Sequence, residues 1–202
     1  MYRPLTPPRQ KGFTLIEVLV AVLILSFGML GLVGMQAFAL HNNREARIYT
    51  QAINHARELA EMMRGNNQVA TKTGSNNPYL TTTLTPATAN TCLKVGGTPC
   101  ASAKAVAESQ MTDWLSRLST ALPGARVSVC LDSQPYGTNG LPTWTCTPGT
   151  AGTDEVVMIK IGWTMRATDS SLTGDAALLR ATNNPPQVVI PVTGGNPFAL
   201  TP

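Results

Sequence analysis

From Val18 to Leu40 the chain reads VLVAVLILSFGMLGLVGMQAFAL without one charged residue, and between Phe13 and Val18 the only ionisable side chain is Glu17. A run of this kind crosses a bilayer as a helix. At about 1.5 Å of rise per residue, a helix from Phe13 to Leu40 reaches roughly 40 Å against a hydrocarbon core of about 30 Å, so tilt or protrusion must absorb the rest. Arg3, Arg9 and Lys11 precede the run with no acidic residue among them, and the mixed group Arg44, Glu45 and Arg47 follows it. By the positive-inside rule this asymmetry puts the N-terminus in the cytoplasm and the rest of the chain across the inner membrane.

The cysteines agree with that placement. Cys92, Cys100, Cys130 and Cys146 all follow the apolar run, as expected where disulfides persist. Their spacings do not resemble a zinc pattern. Four cysteines permit three pairings; Cys92 with Cys100 and Cys130 with Cys146 are favoured because each closes a short loop rich in Gly, Pro and Thr. The net charge of +4 is scattered and only 13% of residues are charged, so no basic stripe with interleaved aromatics marks a nucleic-acid surface, and none is expected to bind.

An ordinary secretory signal is cut behind small residues after its apolar region. Here the charged leader runs straight into Lys11-Gly12-Phe13-Thr14-Leu15-Ile16-Glu17. That junction resembles the class III signal of type IV prepilins and type II secretion pseudopilins. The resemblance implies cleavage by prepilin peptidase between Gly12 and Phe13, N-methylation of the new Phe13 amine, and a charge pair between Glu17 and the Phe13 amine of a neighbouring subunit. Glycine suits a cut site because it keeps the backbone extended and accessible. A carboxylate one turn inside an apolar span costs on the order of 3 kcal/mol or more without a partner, and the neighbour's amine would supply one.

No proline interrupts the chain between Pro8 and Pro78, and helical spacing continues past Leu40 through Ala46, Tyr49, Ile53, Ala56, Ala60 and Met63 to a stop at Gly65-Asn66-Asn67. Arg44, Arg47, Arg57 and Arg64 fall off that stripe, and His41 and His55 are read as surface histidines. Gly28, Gly31 and Gly34 lie within the span, where small residues permit close helix approach or are simply tolerated. Residues 66–101 read as an exposed connecting loop. A second helix is expected over Ala103 to Leu122, with Val106, Ala107, Met111, Trp114, Leu115, Leu118 and Leu122 on one face and Pro123-Gly124 ending it.

Strands are expected at 125–131, from Val156 to Met165 and at 187–193, separated by a turn-rich stretch reaching Asp154. In the second, Val157, Ile159, Ile161, Trp163 and Met165 share one face, with Met158, Lys160, Gly162 and Thr164 opposite. Pro191 assigns the last strand to an edge. The sum is an α+β arrangement of a long helix, a short helix and an antiparallel sheet of three or four strands. This is what the type IV pilin fold implies. Four segments follow: a cleaved leader, 1–12; a transmembrane and filament-core helix, 13–40; its amphipathic continuation, 41–65; and a periplasmic or extracellular globular domain, 66–202.

No Gly-x-Ser-x-Gly, Walker loop or His-Glu-x-x-His is present, so neither an enzyme nor a cofactor is expected, and no metal. Asp169, Ser170, Ser171 and Asp175 offer oxygens but lack the glycine and terminal glutamate of an EF-hand loop. The stretch from Asp113-Trp114-Leu115 through Leu118 to Leu122-Pro123-Gly124 also resembles PilV-type minor pilins. The resemblance implies a minor pilin that helps initiate or tip a type IV pilus, with twitching motility and adhesion downstream. Its partners would be the major pilin and other minor pilins through their N-terminal helices, prepilin peptidase, the inner-membrane assembly platform and, before assembly, membrane lipid. A minor pseudopilin of a type II secretion system shares every N-terminal feature. A membrane-anchored adhesion protein that never polymerises and a DNA-uptake pilin are further alternatives.

Overall fold

The computed structural model describes residues 12–149, 156–167, 169 and 171–192. The leader to Lys11, Asp154, Ser170 and Thr193 lie outside them. Two compact units divide between Arg44 and Glu45.

Helix α1 spans Leu15–Gly65. It begins two residues after the expected Phe13, where the Thr14 carbonyl accepts the N–H groups of Glu17 at 3.1 Å and Val18 at 3.3 Å. In the first unit every described residue from Gly12 to Arg44 is exposed.

In the second unit, α1 contributes Ala52, Ala56, Leu59, Ala60 and Met63 to the core. This face is rotated from the expected stripe, since Ala46 and Tyr49 are exposed while Ile48 packs at the core's margin. Ala52 and Ala56 are fully buried. Helix α3 spans Ala103–Ala121. Ser102 caps α3 by accepting the Ala105 N–H at 3.1 Å. Its core face carries Ala107, Met111, Trp114, Leu115 and Leu118, with Leu122 just beyond, following the 3.6-residue spacing.

The segment after α1 is no exposed connection in its first part. A short helix α2, Asn67–Ala70, leads to buried Asn77 and Tyr79, and Thr81 exchanges backbone hydrogen bonds with Val129. Polar side chains make that burial possible. Asn77 Nδ2 donates to the Ala70 and Lys72 carbonyls, both at 2.9 Å, while the Tyr79 hydroxyl donates to Gln110 Oε1.

Strands β1 (Arg126–Leu131), β2 (Val157–Gly162) and β5 (Val188–Val192) form an antiparallel sheet with β2 central. The register sets Val129 against Ile159 and Ile159 against Ile190, so one face is apolar and covers the helices. Pro191, which has no N–H to offer a ladder, stands on an edge strand. The expected strand through Met165 is broken at Trp163 and Thr164, because the Thr164 N–H bonds to the Pro123 carbonyl at 2.7 Å. A separate ribbon then pairs β3 (Met165–Arg166) with β4 (Leu178–Leu179). This is the α+β arrangement implied by the pilin resemblance.

The sheet's other face is also covered. Ser128 and Lys160, directly opposite in register, are buried beneath the loop that follows β1. Trp144 from that loop lies so close to Gly162 that a Cβ there would sit 2.7 Å from its ring, and Trp144 Nε1 donates to the Asn184 carbonyl at 2.7 Å. The Arg126 guanidinium stacks 4.3 Å from the centroid of the same ring.

Candidate functional site

Gly12, Phe13 and Thr14 precede the first helical turn, so the Gly12–Phe13 peptide bond lies outside α1. A helical bond is held by its i to i−4 hydrogen bonds and shielded by neighbouring turns; this one has neither protection. Phe13 is 83% exposed, and a Cβ on Gly12 would meet nothing within 4 Å. Glu17 sits in the first turn of α1, where a carboxylate complements the unpaired N–H groups of a helix start. It is exposed and has no ion-pair partner among the described residues.

Behind them the helix is long and apolar enough to cross a membrane. Leu15, Phe27, Leu30 and Phe38 are each at least 69% exposed. In water such a surface is far larger than a monomer ordinarily leaves uncovered. Lipid or the helices of other subunits would cover it. Ser26 satisfies its hydroxyl within the helix by donating to the Val22 carbonyl at 2.7 Å.

In the second unit, Cys92 is bonded to Cys100 and Cys130 to Cys146, with Cα separations of 5.0 and 6.2 Å. The first loop rests on α3, where the N–H groups of Asn90 and Leu93 donate to Thr112 Oγ1 at 3.0 Å and Ser109 Oγ at 3.2 Å. The second disulfide closes the loop that covers the sheet.

His55 differs from the surface reading: only 15% of its side chain is exposed, and it packs edge-on against Trp114 at 6.5 Å. Burial lowers its pKa; Glu58, 3.6 Å away, opposes that effect and Arg117 adds to it. Arg117 grips both Glu58 oxygens, at 2.6 and 2.9 Å, and also donates to Asp113 at 2.7 Å. Hydrogen bonding to Glu58 foremost raises the Arg117 pKa further.

Among the described residues two charged groups are fully buried, Asp132 and Lys160, and periodicity pointed to neither. The only hint was a lysine set between isoleucines in a strand. Burial pushes the Asp132 carboxyl up, but Lys160 and the N–H groups of Gln134 and Thr147 together hold it below its ordinary value.

Of the candidate cation ligands, Ser170 lies outside the described residues. Asp169 Oδ1 accepts the Ser171 N–H at 2.9 Å and hydroxyl at 2.7 Å in a local turn, while Asp175 pairs with Arg180. Among the described residues no three His, Cys, Asp or Glu side chains are grouped as metal ligands.

A family model described as the prokaryotic N-terminal methylation motif matches residues 7–33. The match supports a type IV prepilin-like N-terminus, and with the apolar helix it fits a single-pass membrane anchor. Comparison with curated proteins and with solved structures returned no match.

Proposed function

We propose that this chain is the precursor of a minor pilin of a type IV pilus. Prepilin peptidase removes residues 1–12 and methylates the Phe13 amine. Residues 13–40 hold the subunit in the bacterial inner membrane before assembly and join the filament core afterwards. Residues 41–65 continue that helix into a periplasmic domain, 66–202, which the pilus carries to the cell surface. Other pilins are the partners, through their N-terminal helices. The mechanism is association, with motility and adhesion as its consequences.

One observation carries this reading: Lys11-Gly12-Phe13-Thr14-Leu15-Ile16-Glu17, within the matched motif, leads directly into a helix whose described residues as far as Arg44 are all exposed. Removing the leader takes Arg3, Arg9 and Lys11 away from the membrane surface and frees the amine that Glu17 of the next subunit requires. The pair would form in a filament core of low dielectric, where an unpaired carboxylate is costly. The helix bearing Trp114 and ending at Pro123-Gly124 supports the PilV-type assignment.

Replacement of Glu17 tests the mechanism. The expected result for Glu17→Ala is normal leader removal with most of the subunit lost from sheared filaments; incorporation at the native level would refute the charge pair. A minor pseudopilin shares the same N-terminus, so deletion of the gene should be scored for both surface pili and secreted proteins. Lost pili with intact secretion is the outcome expected, and the reverse would move the chain to a type II secretion filament.

A further inference from the structure

The covered outer face of the sheet holds an amine and a carboxyl in an arrangement suited to covalent chemistry. Lys160 Nζ lies against Asp132 Oδ2, and both side chains are 0% exposed. Nζ also donates to the Thr145 carbonyl at 2.6 Å, so the amine is held at this position from a second side. The other carboxyl oxygen, Oδ1, accepts two backbone N–H groups, from Gln134 at 3.0 Å and Thr147 at 3.1 Å. Two N–H donors on one carboxyl oxygen form the cradle that stabilises negative charge when a nucleophile adds to the carbon. The Cys130–Cys146 disulfide and Trp144, packed on Gly162, close the covering loop over the site.

We propose that Lys160 and Asp132 condense to an intramolecular amide that staples β2 to the loop following β1. Starting from ammonium and carboxylate, the first step is transfer of one proton from Nζ to Oδ2. The freed lone pair attacks Cγ, forming the C–N bond, and the charge developing on Oδ1 is received by the Gln134 and Thr147 N–H groups. Oδ2 then takes a second proton from the nitrogen, the C–O bond breaks, and one water leaves. Atoms balance as ammonium plus carboxylate giving amide plus water, and nothing is oxidised or reduced. Fixed proximity replaces the activating group such a coupling needs in solution. The product also removes two buried charges, whose desolvation an ion pair offsets only in part.

The test uses the full chain, purified from membranes, then denatured, reduced and digested with trypsin. No Lys or Arg lies between Arg126 and Lys160, so both reacting residues fall in one peptide. The amide predicts that cleavage at Lys160 is lost, giving peptide 127–166 lighter than its sequence mass by one water. In Lys160→Arg, cleavage at position 160 returns and peptide 127–160 carries its full mass. A wild-type peptide 127–160 of full mass overturns the proposal. So does a peptide that has lost water but is still cut at Lys160, because that is a cyclised Asp132 backbone and not a cross-link.

Discussion

Trp114 Nε1 donates a hydrogen bond to the carbonyl oxygen of His55 at 2.9 Å, tying α3 to α1 in the second unit. The indole is fully buried, so its N–H has no solvent alternative. Trp114→Phe removes one buried donor and some contact area, which should cost about 1–2 kcal/mol; Trp114→Ala also leaves a cavity and should cost about 3–5 kcal/mol. Urea unfolding of the full chain in detergent, followed by near-ultraviolet circular dichroism, measures both. Equal losses for the two variants would show that packing contributes nothing beyond the hydrogen bond.

His55 makes the same contact sensitive to acid. Its ordinary value is 6.5 and burial, the largest influence, lowers it in the folded protein. Between the two values the unfolded chain binds more protons than the folded one, so stability falls as pH drops below 6.5 toward the folded value. Glu58, Arg117 and the Trp114 ring face the imidazole. Melting temperature measured from pH 7.5 to 5 should decline less in His55→Gln than in the wild type. Parallel profiles would remove His55 from the acid response.

Gly124 is constrained twice. Its φ of +57° is one that side chains rarely adopt, and a Cβ would lie 2.3 Å from Thr164 Oγ1. Gly124→Ala should cost about 1–2 kcal/mol from the backbone alone, with the clash added. In a Thr164→Ala background the clash eases while the backbone cost stays, so the same glycine change should be less damaging there. If the penalty is identical in both backgrounds, the turn after α3 does not press on Thr164.

These three sites also show what a linear reading reaches. The N-terminal junction and the apolar run are legible because each depends on consecutive residues alone. The face of α3 from Ala107 to Leu118 follows from helical spacing. The misread positions need distant partners. Asn66, Asn77 and Tyr79 belong to residue types common in loops, yet they are buried by hydrogen bonds to the Ala103 carbonyl, the Ala70 and Lys72 carbonyls and Gln110. Alternation along β2 separates Lys160 from Ile159 and Ile161 but cannot reveal that the loop between β1 and β2 covers the lysine's face as well. On α1 the core face takes in Ala52, weakly hydrophobic in itself and absent from the expected stripe, while Ala46 and Tyr49 stay exposed.

The central claim concerns the bond between Gly12 and Phe13, and the mass of the mature N-terminal peptide tests it most directly. Protein recovered from bacterial membranes or sheared filaments should begin at Phe13 and carry one added methyl group on that amine. A chain retaining residues 1–12, beginning elsewhere, or beginning at an unmethylated Phe13 would contradict the account.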